Sequence, residues 1–355
     1  MSNVAVLKTK PQTVVEDYGR LMRLARYRNE IDSKKETIIK LNLSWSLYYP
    51  ACSTQPWQLE GVLKTLEEDK FKKILPVENK TVVTDPIKGA RLNKWNTIFQ
   101  KFGLNFTPLT DVEWVKYNPK HELSVLDKKV FPDGVYIPKM FFNKNIIHLP
   151  TMKTHGHTTT TGAMKNAFGG LLKEVRHHCH KYIHDVLVDL LIIQKEIHPG
   201  IFAVMDGTVC GDGAGPRTME PVEKGYILAS SDQVAIDAVA AKMMGFDPLQ
   251  IPYIKKAHDL GLGMGDPRQI ETLGEDISKV NFNFKVKRSP VIYGDQIFRK
   301  GPLSFVEPLL FRTWFFNFCV LGSESYHDWF WYPLIGRTKI AAFTKTEWGE
   351  LFQKY

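Results

Sequence analysis

Apolar residues recur at helical spacing in residues 12–31: Val14, Tyr18, Leu21, Met22 and Ala25 share one stripe, which Arg20, Arg23, Arg26 and Arg28 largely avoid. The pattern predicts a basic amphipathic leading helix, docked by its stripe with its basic face in solvent, or else laid on a membrane surface. A β-branched run at 37–43 follows, then Leu59, Val62, Leu63 and Leu66 at helical spacing in 55–68. Residues 73–77 and 81–84 predict short strands, 92–102 a helix, and 103–108 a return towards a strand. Alternation of this kind predicts an α/β fold, a mainly parallel sheet with helices on both faces. A further strand, 145–149, is ended by Pro150. Leu172, Val175, Cys179, Tyr182, Val186, Leu190 and Ile193 then mark the buried stripe of one long helix. Residues 201–205 (IFAVM) and 226–229 predict buried strands, and 233–244 an Ala-rich helix closed by Gly245. No repeat is visible, and the chain divides into a leading helix (1–36), an α/β domain (37–280) and an aromatic-rich C-terminal extension (281–355).

Composition sharpens this picture. With 355 residues, 43% hydrophobic and 24% charged, the chain can bury a sizeable core. A formal charge of +9 calls for an anionic partner: nucleic acid, a membrane surface or an acidic small molecule. The basic residues are dispersed and no helix-turn-helix, zinc-finger or RNP signature accompanies them, so nucleic acid ranks last. Cys52, Cys179, Cys210 and Cys319 lie far apart, which excludes an iron–sulfur cluster held by this chain alone. The first residues do not resemble a secretory signal. The expectation is a reducing, cytoplasmic protein, with membrane association left open.

Two segments concentrate chemistry. Residues 149–170 leave a strand end and bring Lys153, Thr154, His155, His157, Lys165 and Asn166 into one polar, Gly- and Thr-rich stretch. In open α/β sheets ligands bind beyond the carboxyl ends of strands, and a helix starting near Gly162 adds backbone donors, so an anion suits this stretch. The second segment opens with Asp206-Gly207 and continues as a Gly-rich loop containing Gly213, Gly215 and Arg217, where backbone can approach a ligand closely. It matches neither the P-loop nor the dinucleotide fingerprint.

Eight of the eleven histidines lie between 148 and 198. His180 and His184, at i, i+4 spacing on the exposed face of the long helix, are the candidate metal ligands, although solvated histidines explain the same pattern. His155 and His157 are the candidates for acid–base work. Asp232 predicts an N-cap. Asp237, inside an apolar helix, needs a partner, for which Lys153 or Lys165 would serve. Between 301 and 335 lie eleven aromatic residues, interrupted by Glu307, Pro308 and Arg312, so this stretch does not span a membrane. It is expected to be core first, a lid over an apolar substrate second and a membrane-interface element third.

The order of Ile39-Lys40-Leu41-Asn42-Leu43, Leu149-Pro150-Thr151-Met152-Lys153-Thr154-His155, Gly162 to Gly169 (GAMKNAFG), Asp206-Gly207, Gly213-Ala214-Gly215-Pro216, Ser231 to Ala238 (SDQVAIDA) and Met244 to Pro248 (MGFDP) resembles the family called domain of unknown function 362, over roughly 38–275. Many relatives carry a fused two-cluster ferredoxin module, which implies redox chemistry; this chain lacks the cysteines, so electrons would come from a donor protein. The Gly-Lys element is also distantly similar to that of nickel-pincer lactate racemases. That resemblance implies Lys165 or Lys153 as the group holding a cofactor or anion, and His155 or His157 as acid–base.

The leading expectation is an enzyme acting on an anionic, partly apolar small molecule by redox or proton transfer. Lys153, His155, Lys165 and Asp206 would surround one pocket, with His155, His157 and Asp206 as the catalytic groups. Thr154, Asn166, Gly213, Gly215, Arg217 and Asp237 would join the two lysines in binding substrate or a cofactor of unassigned identity. The alternatives are a non-catalytic protein that binds an anionic membrane or a partner, and an accessory protein that handles a metal or cofactor for another enzyme.

Overall fold

Ile38 and Ile39, Ile146 and Ile147, and Phe202 and Ala203 are sequence neighbours that face opposite ways, and both members of each pair are buried. A strand covered on both faces reads as a continuous apolar run, so these short runs become strands of a sheet with helices on both sides. A computed structural model describes residues 2–71, 73–81 and 83–355. Its strands are β1 (Asn3–Lys8), β2 (Thr37–Lys40), β3 (Ile74–Glu78), β4 (Thr107–Pro108), β5 (Trp114–Tyr117), β6 (Val135–Pro138), β7 (Asn145–His148), β8 (Thr151–His155), β9 (Thr159–Thr160), β10 (Ile201–Ala214), β11 (Thr218–Ser230) and β12 (Glu271–Gly274). The main sheet has the order β12-β1-β11-β10-β7-β2-β3-β4, with β8 and β9 attached beside β10. From β10 to β4 the pairing is parallel, with Ile38 opposite Ile146 and Ile146 opposite Ile201. β11 runs antiparallel to both β10 and β1, while β5 and β6 form a separate hairpin.

One face is covered by α1 (Val14–Leu24), α2 (Pro56–Glu68), α3 (Pro86–Leu92) and α4 (Trp95–Lys101), with Tyr18, Leu63, Ala90 and Trp95 in its core. The other carries α5 (Ala163–Asn166), α6 (Phe168–Leu171), α7 (Ile183–Ile197), α8 (Gln233–Met244) and α9 (Pro252–Asp259). The extension folds as α10 (Pro290–Lys300), α11 (Glu307–Phe311), α12 (Phe316–Glu324), a π-helical stretch Ser325–Gly336, α13 (Arg337–Phe343) and α14 (Glu347–Lys354). Trp331, Phe343, Trp348 and Phe352 return to the first core.

Four expectations change. The leading helix stops at Leu24, because Arg26 takes a left-handed conformation (φ 54°), and β1 before it joins the main sheet. The Gly-rich segment after Asp206 is strand: β10 continues to Ala214, paired with β11, and only 215–217 turn. Its glycines serve close packing; a Cβ on Gly211 would lie 2.3 Å from the Met219 sulfur. The polar stretch 149–170 is likewise ordered as β8, β9, α5 and α6. The long helix is divided into a 3₁₀ segment, Glu174–Tyr182, and α7. Three residues per turn stack positions i and i+3, which turns His177 and His180 to one side and inwards, where an α-helix would have sent them to solvent. Of the strand expected at 81–84, Val82 lies outside the described residues, and Thr81 and Thr84 bridge one another; the Val175 side chain also lies outside them.

Candidate functional site

The parallel strands β2, β3 and β7 end side by side at Lys40, Glu78 and His148. Beyond this carboxyl edge lies a cavity of about 440 Å³, roofed by α10 and by residues of α11 and α12. Its wall begins with an ion pair inside the fold: Lys40 Nζ lies 2.7 Å from Glu78 Oε1, with side chains 1% and 2% exposed, and also donates to the Leu41 carbonyl. Burial pushes the lysine pKa down and the carboxyl pKa up, while each charge opposes the shift of the other. Gly169 and Gly170 of α6 lie directly on this lysine; a Cβ at either would stand 3.2 Å from Lys40 side-chain atoms.

α5 presents Lys165 and Asn166 to the same space. Asp237 of α8 fixes the start of α5, its carboxylate accepting from the backbone N–H of Ala163 at 2.6 Å and of Met164 at 3.2 Å. So close an approach requires Gly162, whose Cβ would fall 2.1 Å from Asp237 Oδ1. The expected pairing of Asp237 with a lysine is therefore corrected: its partners are backbone donors and, at 3.5 Å, the Tyr253 hydroxyl, and burial pushes its pKa up to about 7. Asn166 Nδ2 donates to the Lys40 carbonyl at 2.9 Å, locking α5 to β2. The ammonium of Lys165 lies 5.5 Å from the Phe168 ring centroid, and burial followed by the nearby Lys153, Arg176 and Arg217 charges lowers its pKa to about 7. Arg217, held through Nε to the Ser44 carbonyl at 2.8 Å, enters from the turn after β10.

His155 ends β8 and His157 lies in the turn between β8 and β9. The His155 Nδ1 atom accepts from the His157 backbone N–H at 3.1 Å. Burial brings His157 down to about 4 and His155 well below the usual imidazole range, with Lys165 adding to both shifts. His180 stacks on His157, with ring centroids 4.8 Å apart, and His177 on Phe316 at 3.7 Å. His184 does not join His180 at a shared point; its ring packs towards Tyr253. Asp295 and Arg299 of α10 close this side, with Arg299 Nε 2.8 Å from Asp295 Oδ1.

The cavity thus brings together His155, His157, Lys165, Asn166, Arg217 and His180. Lys153 stands one layer behind it, donating to Asn42 Oδ1 at 2.8 Å and to Thr151, and burial lowers its pKa to about 8. Asp206 is not brought to the cavity. It accepts from Tyr18 at 2.6 Å and Trp57 at 3.0 Å and also bonds Thr208, so it ties α1 and α2 to the sheet. Thr154 donates to the Gly213 carbonyl at 3.0 Å, and a Cβ on Gly215 would sit 1.8 Å from the Thr154 carbonyl oxygen, so these positions clamp β8 to β10. Asp232 caps α8 as expected, accepting from Val234 and Ala235. Sequence reasoning missed Lys40, Glu78, Arg176, Asp295 and Arg299. A lysine ending a β-branched run signalled the first; an Asp and Arg four apart in an amphipathic helix signalled the last two.

The curated relative found by comparison is the thylakoid-associated protein sll1697 of Synechocystis sp., 31% identical over 124 residues, which is 33% of this chain. The match spans 37% of that relative's own length. No solved structure matches the chain. Residues 37–242, more than half of the chain, match the family described as Domain of unknown function (DUF362), and the chain belongs to that family.

Proposed function

We propose that this protein is an enzyme for an anionic amphiphile. The charged end of the substrate lies among Lys165, Arg176 and Arg217, and its apolar part against Phe298, Phe311, Phe316 and Val320. The observation that carries this reading is a cavity whose acids are already matched, Glu78 with Lys40 and Asp295 with Arg299. Lys165 and Arg217 face the same cavity with no carboxylate in ion-pair range among the described residues. Such a balance attracts an anion, and the aromatic and aliphatic wall selects one with an apolar body. Proton transfer suits the site. An acid with a pKa near 7, as Lys165 has, is well poised to donate its proton to the bound anion at physiological pH, and neutral His155 and His157 relay or orient. A redox reaction at the same site would draw its electrons from a donor protein.

An alkyl phosphate such as dodecyl phosphate is a suitable probe. Calorimetry should show one site, with dodecanol binding at least tenfold more weakly. Corrected for the phosphate's own second ionisation at about pH 6, affinity should hold steady below about pH 6 and fall up to tenfold per pH unit above about pH 7, as Lys165 loses its proton. Lys165→Ala should remove most of the affinity and its pH dependence while the far-ultraviolet circular dichroism stays unchanged. Equal binding of alcohol and phosphate would reject the anion site.

A second feature favours work at a membrane surface. The outer side of the extension exposes Phe305, Trp314, Phe318, Trp329, Phe330 and Leu334, each more than half exposed. Such a patch suits an anionic bilayer that delivers an amphiphile to the cavity beneath. The similarity to a thylakoid-associated protein agrees with that reading.

A further inference from the structure

We infer that His157, His180 and Asp295 form a binding site for a divalent transition-metal ion on the wall of the cavity. The residues come from the β8–β9 turn, the 3₁₀ segment and α10, and one ligand atom from each lies within 4.8 Å of the other two. Asp295 Oδ2 is 3.6 Å from His157 Nε2 and 3.9 Å from His180 Nδ1. These separations are too long for direct hydrogen bonds, but a small inward movement brings all three atoms to bonding distance, roughly 2.0–2.2 Å, from one ion.

Two of the atoms have nothing else to do. His180 Nδ1 and Asp295 Oδ2 are buried without a hydrogen-bond partner. A buried polar atom left unmet is costly, and one ion satisfies both. The remaining contacts aim the ligands. Arg299 holds the other carboxylate oxygen of Asp295 at 2.8 Å, and Arg299 also faces Glu307, so its charge is shared between two acids.

Two imidazoles and one carboxylate suit Zn²⁺ or Fe²⁺, and three protein ligands leave coordination positions open. All three residues line the cavity, so the open positions face whatever binds there. This inference does not rest on the anion-binding groups, because none of its ligands is Lys165, Arg176 or Arg217; it takes up His157 and leaves proton relay to His155.

The test uses the full chain, stripped with a chelator and titrated with Co²⁺ without any organic ligand. One equivalent should bind, with visible ligand-field bands, no thiolate charge-transfer band, and displacement by Zn²⁺. His180→Gln and Asp295→Asn should each weaken binding by roughly tenfold or more, whereas His178→Gln, outside the trio, should not. No saturable binding by the wild type, a charge-transfer band that places Cys179 or Cys319 on the ion, or full affinity retained in both folded variants would overturn the site. The spectrum of the wild type decides even if a variant fails to fold.

Discussion

Asp237 spends its carboxylate on the backbone. Two N–H groups of α5 converge on it, yet burial is the larger influence and pushes its pKa up to about 7 from an ordinary 3.8. Between these values the folded chain holds a proton that the unfolded chain has released. The carboxyl group therefore favours folding below about pH 4, and this contribution is lost as the pH rises to about 7. Asp237→Asn removes that dependence. In urea titrations from pH 4 to 8, the stability of the variant relative to wild type should climb between about 4 and 7 and then level off. The total change should be on the order of a few kcal/mol, since one pKa unit is about 1.4 kcal/mol. A constant difference across this range would mean that Asp237 titrates normally in the fold. The same residue shows where sequence reading reached its limit at this scale. A carboxylate in an apolar helix announced a partner, but that the partner was a helix start rather than a lysine depended on Gly162, which alone admits the approach.

The β10–β11 hairpin and the β8–β9 turn act as one element, because the turn at 215–217 leans on β8. A Cβ on Gly215 would meet the Thr154 carbonyl oxygen at 1.8 Å, and neither backbone can swing aside as a side chain would. Gly215→Ala should lower stability by about 1–3 kcal/mol. It should also accelerate amide exchange at Gly156, whose N–H donates to the Gly215 carbonyl at 3.3 Å. Gly294→Ala is the contrasting case: nothing lies within 4 Å of its Cβ, and in α10 it should stabilise by roughly 0.5–1 kcal/mol. Thermal melts of the two variants separate a packing role for Gly215 from a general intolerance of substitution. The parallel strands were legible because double-sided burial leaves an apolar run such as Ile38-Ile39 or Phe202-Ala203-Val204. The site was legible where polar residues follow such a run, as at Lys153 to His157. It was not legible at β10 beyond Asp206, because glycines that permit close packing and glycines that permit turns look alike in one dimension. The 3₁₀ segment was missed for a related reason: the apolar stripe fits an α-helix, and only a partner such as Phe316, more than a hundred residues away, draws His177 inwards.

At the scale of the molecule, the extension has two faces with opposite allegiances. Inwards it is core and cavity wall: Trp331 packs at 5.2 Å on Tyr49 and 6.0 Å on Trp45, Asp328 accepts from Trp45 at 2.7 Å, and Phe311 and Phe316 roof the cavity. Outwards it exposes Trp314, Phe318, Trp329 and Phe330 on a chain of net charge +9. Among the described residues no helix is long and apolar enough to cross a membrane. Trp329 and Trp331, two residues apart, then give opposite outcomes. Trp329 is 63% exposed and Trp331 6%, so Trp331→Ala should lower the melting temperature, whereas Trp329→Ala should leave it in place. With vesicles rich in an anionic lipid, the wild type should co-sediment and its tryptophan emission should shift to the blue. Trp314→Ala and Trp329→Ala should each weaken partition by about tenfold, the loss of one large apolar side chain from the interface. Added salt should release part of the protein, because only the electrostatic share is screened. If the wild type stays in the supernatant with anionic vesicles at low salt, the patch does not face a bilayer; the cavity beneath it and the ligand arrangement of His157, His180 and Asp295 would be untouched by that result.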